Sequence, residues 1–511
     1  MPAYLRRPVS FEAAKEALRQ RLALRRQRFL DRFRLDVFGQ PDSPYHALLR
    51  HAGCEWGDVA ALVEREGVEA TLQALFRAGV YLTIDEFKGR RPARRGSLEI
   101  AIQPEMLRAP RASYHLPAAS GGTRSSGTPV LIDLEFIRTC AANCAVCLDA
   151  WGGRDWVKGD WESPGAGARF RVVKFAGFGA LPRAAFSFFD TATLPAYFRW
   201  NLKGLHWASR LGGRPLPRTV CVPHSNPAPL LEWLVQVLRG GETPCIFTFS
   251  GAAVTACLAA RERGYDIAGS VFLISGEPVT AARIRTIASA GCRAIPRYGT
   301  VEVGAIGYGC RAGRHPDEVH FLEDMHALIH AGEEGAQAGL PPKALLMTSI
   351  HPQSPFVMIN LSMGDQAEMG ARACGCPLDG AGWRTHLWDI RSFEKLTAAG
   401  VTFLGSEVIA VLEEALPARF GGGPTDYQLV ESETETGLPV LRLRAHPRLG
   451  DLPAREVVDT FAEVLGRSSQ SKAMMVRRWL DAGTLQFERA VPAATRAGKI
   501  QFLHVEKRPA G

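Results

Sequence analysis

Ser270-Val271-Phe272-Leu273-Ile274-Ser275-Gly276-Glu277-Pro278 is a short apolar run closed by a turn. An uninterrupted apolar stretch of this length, between small and turn-forming residues, reads as a strand buried on both faces. Beyond it the pattern predicts a helix from Val279 to Ala290 and a strand from Arg293 to Arg297. The same unit stands twice more upstream. Pro244 to Phe249 precedes a helix from Ala252 to Arg263, and Arg218 to Val222 precedes one from Pro229 to Leu238. Repeated strand–helix units predict a mostly parallel sheet with helices on both faces. Ligands on such sheets lie beyond the carboxyl ends of the strands. Here those ends are Ser250-Gly251, Ser275 to Pro278, and Tyr298-Gly299-Thr300.

The flanks differ from this α/β centre. Residues 1 to about 80 have helical spacing, and Leu82 to Phe87 reads as a cap followed by a short helix. Asp133 to Trp151 is helical in pattern, and Arg169 to Gly177, with Val172 and Val173, predicts a strand. Beyond 300 the chain turns strand-rich, as in Ala344 to Ser349 and Phe356 to Leu361. After 390 come strands at Thr402-Phe403, Gln428 to Ser432 and Val440 to Arg444, then helices over 454–466 and 471–481. The expected organisation is a helical part over 1–100, an α/β core over 101–390, and a small α+β domain over 391–511.

At 511 residues, with 46% hydrophobic and 22% charged residues, the chain has globular composition. The formal charge of +9 suits an anionic ligand. The basic residues near the start, such as Arg25-Arg26-Gln27-Arg28, lack interleaved stacking aromatics and read as a solvated helix face, so no nucleic-acid partner is expected. No apolar run approaches the roughly 18 residues of a membrane span. Met1 to Lys15 is charged rather than signal-like, and eleven cysteines in so long a chain predict reduced thiols in the cytoplasm.

Ser120-Gly121-Gly122-Thr123-Arg124-Ser125-Ser126-Gly127-Thr128-Pro129 has no side chain suited to a core. Its glycines let backbone N–H groups converge, and its hydroxyls add donors, which is how a chain cradles polyphosphate. Val130-Leu131-Ile132 anchors it as a strand.

Taken together, these residues resemble the adenylate-forming ligases, within them the phenylacetate–CoA ligase branch. The loop from Ser120 resembles that family's phosphate loop, though it is longer. Ser275-Gly276-Glu277-Pro278 resembles the segment against adenine. Tyr298-Gly299-Thr300-Val301-Glu302 is similar to the family's tyrosine–glycine–threonine–glutamate motif, and Met363-Gly364-Asp365 resembles its ribose-binding aspartate. Arg391-Ser392, Lys395-Leu396 and Gly400-Val401 resemble the hinge into a small mobile domain, with Phe393 where the family has an acidic or lysine pivot and Glu394 next to it. Thr495 to Lys499 resembles the catalytic lysine loop. The resemblance implies ATP and Mg²⁺ as cofactors. It also implies that Glu302 holds the metal, Thr300 meets the α-phosphate, Asp365 and Arg391 hold the ribose, and Lys499 reaches the reacting carboxylate. Rotation of the small domain would then admit a thiol, from CoA or from the phosphopantetheine of an acyl carrier protein. The family allows a homodimer.

Cys374-Gly375-Cys376 is a common half of a zinc site. By the same resemblance, Cys310, His320, Cys374 and Cys376 would bind a structural zinc; His320 precedes the branch-like Phe321-Leu322-Glu323-Asp324, and His315 is the rival. Cys140, Cys144 and Cys147 raise another reading, because their spacing matches the iron–sulfur loop of radical S-adenosylmethionine enzymes. Phe136 to Ala150, however, contains neither Gly nor Pro and reads as one helix with its thiols on one face. A third reading is a non-catalytic nucleotide-binding homologue. Tyr298, Phe247, Phe249, Ala252 and Ala253 lie near the expected acid pocket and favour an aryl or medium acyl carboxylate.

Overall fold

The computed structural model of the chain describes residues 2–113, 116–119, 129–162, 166–193, 196–300, 302–393, 395–398, 401–423, 425–467, 470–493 and 502–506. Helices fill the N-terminal part, among them Phe11–Ala23, Arg25–Phe33, Trp56–Glu66 and Val68–Arg77. Thr83 caps the short helix Ile84–Phe87 through a reciprocal pair with Glu86. The basic face expected to be solvated is in part buried. Arg21 pairs with Asp324 at 2.8 Å, and Arg32 pairs with Asp36 at 2.8 Å and donates to the carbonyls of Ser354 and Phe356. Guanidinium groups with several fixed acceptors can be buried, and these two staple the N-terminal helices to the strands beyond 320.

The large sheet is assembled from twelve of the described strands. In chain order its first elements are helix α1 (Leu134–Ala150), strand β1 (Val157–Glu162), helix α2 (Ala166–Gly177), β2 (Ala184–Ser187) and β3 (Thr219–Cys221). Next come β4 (Pro244–Phe249), α3 (Ser250–Arg263), β5 (Val271–Ser275), α4 (Ala281–Ser289) and β6 (Arg293–Thr300). The antiparallel half follows as β7 (Gly304–Gly309), β8 (Val319–Phe321), β9 (His326–His330), β10 (Ala344–Ser349), β11 (Leu361–Ala371) and β12 (Thr385–Ser392). The spatial order is β9-β10-β11-β12-β8-β7-β6-β5-β4-β1-β2-β3. From β6 to β3 the pairing is parallel, as the repeated strand–helix units predict. β6 also pairs antiparallel with β7, so it is the seam between the two halves.

Two sequence expectations are corrected. Arg169 to Gly177 lies within helix α2 rather than in a strand. Its buried residues, Val173 to Gly177, dock on α1 and the sheet, and this packing overrides the β preference of Val172 and Val173. Phe356 to Asn360 is not a strand; β11 starts only at Leu361. Asn360 adopts φ 47°, and its side-chain amide donates to the carbonyls of Leu72 and Val80, fixing a turn instead.

After β12 the chain forms the hairpin β13 (Lys395–Ala398) and β14 (Val401–Leu404). A second, smaller unit follows with its own core, which includes Leu443, Phe461 and Trp479. Its strands β15 (Tyr427–Glu433), β16 (Pro439–Ala445), β17 (Leu485–Arg489) and β18 (Leu503–Val505) lie in the order β17-β16-β15-β18, with helices α5 (Ala454–Gly466) and α6 (Gln470–Asp481). The turn joining β15 to β16 touches α4. Arg283 donates to Gly437 O at 2.8 Å, Thr286 to Thr436 O at 2.7 Å, and Thr280 to Glu433 Oε2 at 2.8 Å. On α6, Arg478 lies over the Phe188 ring and 2.5 Å from His224 Nε2.

Asn360→Leu removes two buried hydrogen bonds and puts a side chain without a local hydrogen bond in the left-handed region. We expect a loss of about 2–3 kcal/mol, read as a lower midpoint in thermal unfolding of the full chain.

Candidate active site

Strand β6 delivers Tyr298, Gly299 and Thr300 to the seam, where the pairing with β7 shifts register between Tyr298 and Gly299. Position 299 accepts only glycine, since a Cβ there would stand 2.2 Å from Gly304 O. The Tyr298 hydroxyl donates to Asp365 Oδ2 at 2.9 Å. Burial, and then the charge of Asp365, holds that phenol well above its usual range, so it remains a protonated donor. The Thr300 hydroxyl oxygen is buried without a hydrogen-bond partner among the described residues. A buried orphan hydroxyl at a strand end is a group that a bound ligand would satisfy.

The structure thus brings Tyr298 to Asp365, 67 residues away in sequence, with Thr300 at the end of the same strand. Glu302 is part-buried, and Lys88 donates to its Oε1 at 2.8 Å. Lys88 carries no motif signal in the sequence; it follows a short helix and is brought to Glu302 only by tertiary packing.

The segment after β5 holds its shape through buried charge. Gly276 adopts φ +79°, and a Cβ there would stand 2.9 Å from the Phe249 ring. The Glu277 carboxylate accepts from Gly251 N at 2.7 Å, Ser250 Oγ at 3.0 Å and Arg283 Nη1 at 3.0 Å. It therefore caps the N-terminus of α3, where a negative charge is favoured. Pro278 follows, and its carbonyl accepts from Arg283.

Arg391 is not brought to Asp365. In the β11–β12 register it faces Gln366, whereas Asp365 faces Ser392, so the two side chains lie on opposite faces of the sheet. Arg391 donates instead to Asp317 Oδ2 at 3.1 Å. The loop 120–128, Val301, Glu394, Gly400 and Lys499 lie outside the described residues.

Cys310, His320, Cys374 and Cys376 converge, with their ligand atoms all within 4.8 Å of one another. His320 Nε2 is 3.1 Å from Cys376 Sγ and 3.6 Å from Cys374 Sγ, and the sulfurs of Cys310 and Cys374 are 3.7 Å apart. Ligands at the usual zinc distances, placed tetrahedrally, stand roughly 3.5–3.8 Å from each other. His320 Nδ1 donates to Trp383 O at 2.7 Å, which leaves Nε2 unprotonated with its lone pair free to bind a metal. Contact with Cys310, and then with His320, holds the Cys376 thiol far below its usual range. The donor set fits a closed, structural zinc site. His315 stacks on Trp388 and takes no part. The overlapping set Cys310, Glu318 and His386 is less apt, because Glu318 is already bound by Arg372 and by the N–H of Arg314.

Cys140, Cys144 and Cys147 lie buried along the unbroken helix α1. Among the described residues they form no converging ligand set. The iron–sulfur reading is corrected accordingly: a cluster loop must open its backbone, and this helix does not.

No family model matches the chain, and neither does any curated protein. Among solved structures, several are similar to this chain in fold. One is a 2-hydroxyisobutyryl-CoA ligase in complex with 2-HIB-AMP and CoA in the thioesterification state, at TM-score 0.56 and 14% identity, over 96% of this chain and 90% of that one. Others are an o-succinylbenzoate CoA synthetase from Bacillus subtilis, at TM-score 0.41 and 11% identity over 80% and 72%, and an amide bond synthetase from Marinactinospora thermotolerans, at TM-score 0.39 and 12% identity over 90% and 91%. The fold is that of the adenylate-forming CoA ligases, as the order of motifs led one to expect.

The purified chain should carry about one zinc per molecule by elemental analysis, since the four donors make one closed site. Cys376→Ser should lose the metal and lower the unfolding midpoint, while His315→Ala should keep both unchanged.

Proposed function

We propose that this chain activates a carboxylic acid with ATP and passes the acyl group to a thiol. The observation that carries this reading is the hydrogen bond from Tyr298 to Asp365 near the end of β6, with the orphan hydroxyl of Thr300 two residues further along the same strand. They meet on a fold shared with a ligase whose structure holds an acyl-adenylate and CoA.

A carboxylate oxygen attacks the α-phosphorus of ATP, the bond to the bridging oxygen breaks, and pyrophosphate leaves. Catalysis of such a step is mostly positioning and charge neutralisation. Asp365 accepts from the ribose hydroxyls, with Tyr298 fixing its orientation. Thr300 donates to an α-phosphate oxygen. Gly276, Glu277 and Pro278 form a shaped wall for the base, with the Glu277 side chain committed to α3. Glu302 offers the hard carboxylate oxygen that Mg²⁺ prefers, and such an ion would draw charge from the phosphates. Lys88, beside it, is a second cation for the same phosphates. The loop 120–128 supplies backbone and hydroxyl donors to pyrophosphate, and Lys499 reaches the attacking carboxylate. In the second step the thiol sulfur attacks the acyl carbon, the C–O bond to AMP breaks, and the thiol proton passes to solvent. CoA and carrier-bound phosphopantetheine present the same thiol. Swinging of the small domain about residues near Phe393 would separate the two steps.

The test is acid-dependent exchange of labelled pyrophosphate into ATP. Active wild type is expected. Lys499→Ala should lower the rate on the order of 10²-fold or more, and Thr300→Val on the order of 10-fold or more, with zinc retained in both. Asp365→Ala should act mainly by raising KM for ATP. Absence of exchange with every acid tried, in zinc-loaded folded protein, overturns the ligase reading.

A further inference from the structure

The face of the parallel sheet next to Gly299 carries charge where apolar packing is the rule. Cross-strand register puts Asp160 beside Phe247, and Ser275 next to Arg297 along the same face. Helix α2 covers this face and brings Arg171 and Lys174, spaced i and i+3, onto the Phe247 ring. The guanidinium of Arg171 lies 4.3 Å from the ring centroid, Lys174 Nζ 5.8 Å and the Arg297 guanidinium 5.9 Å.

Three cations therefore surround one phenyl ring. Glu162 pairs with Arg171, and Asp160 is the remaining carboxylate on this face. Lys174 is 1% exposed, and its ammonium nitrogen has no hydrogen-bond partner among the described residues. The same holds for Asp160 Oδ1 and the Tyr308 hydroxyl, both buried. A buried ammonium without a hydrogen-bonded counter-charge is costly, and an anionic group bound against it would offset that cost. Burial, with Arg297 and Arg171 nearby, lowers Lys174 to about 8, and burial raises Asp160 to about 7.

The cluster also adjoins the reaction site. Arg297 Nη2 is 2.9 Å from where a Cβ on Gly299 would stand, and Arg297 is three residues before Thr300 on the same strand, roughly 10 Å away. We propose that Arg171, Lys174 and Arg297 form a subsite for a second anionic group on the acid substrate, making the preferred substrate a dicarboxylate or similarly dianionic acid. The proposal rests on the ligase reading above for what happens at the other carboxylate. It adds a charged end to the expected aryl or medium acyl carboxylate: Phe247 provides the wall, and the cations around it provide the recognition. A site built to pair a substrate charge rejects the uncharged analogue strongly, because the buried cations are then left unpaired.

The experiment compares acids matched in length but differing in the distal group: succinate through suberate against the equal-length monocarboxylates, and terephthalate against p-toluate. In pyrophosphate exchange, wild type should favour a dicarboxylate over its partner on the order of 10²-fold in kcat/KM. Lys174→Met should abolish that preference by raising KM for the dicarboxylate. Asp160→Asn removes an opposing charge and should sharpen the preference, which keeps the test open if Lys174→Met does not fold. Wild-type preference for monocarboxylates, or an unchanged preference in Asp160→Asn and Lys174→Met, overturns the proposal. A second readout separates it from the ligase reading: the dicarboxylate alone should raise the unfolding midpoint of wild type but not of Lys174→Met. That shift without any exchange supports the subsite while the ligase reading fails. Exchange confined to monocarboxylates, with no shift, leaves the ligase and overturns the subsite.

Discussion

The molecule depends on a single strand serving two kinds of sheet. From Arg293 to Pro296, β6 pairs parallel with β5, and from Arg297 onward it pairs antiparallel with β7. Pro296 stands at the changeover, with Gly309 pressed against it so closely that a Cβ would lie 2.7 Å from the proline ring. The bulge at Tyr298 and Gly299 then turns the end of the strand toward β11. The seam sets where Tyr298, Gly299 and Thr300 stand. Tyr298 reaches Asp365 from it, and the buried Thr300 hydroxyl has no hydrogen-bond partner among the described residues.

The regions around the seam are held by charges buried with defined partners. Glu277 caps α3 and binds Arg283, which also reaches the smaller unit at Gly437 and Glu433. Arg21 and Arg32 anchor the N-terminal helices in the same manner. On the antiparallel half, the four donors Cys310, His320, Cys374 and Cys376 tie β7 and β8 to the turn before β12. Breaking any such group leaves its partner unpaired in a low-dielectric interior, so each acts as a specific latch. Among the cations around Phe247, Lys174 Nζ and Arg297 Nε are the exception, with no hydrogen-bond partner among the described residues.

The residues that form the site and those that shape its surroundings differ in how they meet. Tyr298, Gly299 and Thr300 are neighbours in sequence, and one strand end places all three. Lys88 and Glu302 meet from distant parts of the chain, as do Arg171, Lys174 and Arg297. Contact of the β15–β16 turn with α4 places the smaller unit beside the strand ends, next to the segment that follows β5.

The sequence by itself determined the parallel core, because buried strands written as short apolar runs between helical periods admit few other arrangements. It also pointed to the helix at 454–466 and, in Cys374-Gly375-Cys376, to half of a donor set; Cys310 and His320 were implied only by resemblance, and the folded chain brings the four together. It did not determine α2, where two adjacent valines suggest a strand and only docking on the sheet shows a helix. It could not show that Arg391 faces Asp317 rather than Asp365, since that turns on a register one residue off. Nor could it bring Lys174 under Phe247. Local pattern encodes which backbone forms and which side is apolar; which charges end up facing one another is decided by strand order and register, and these exist only in the folded chain.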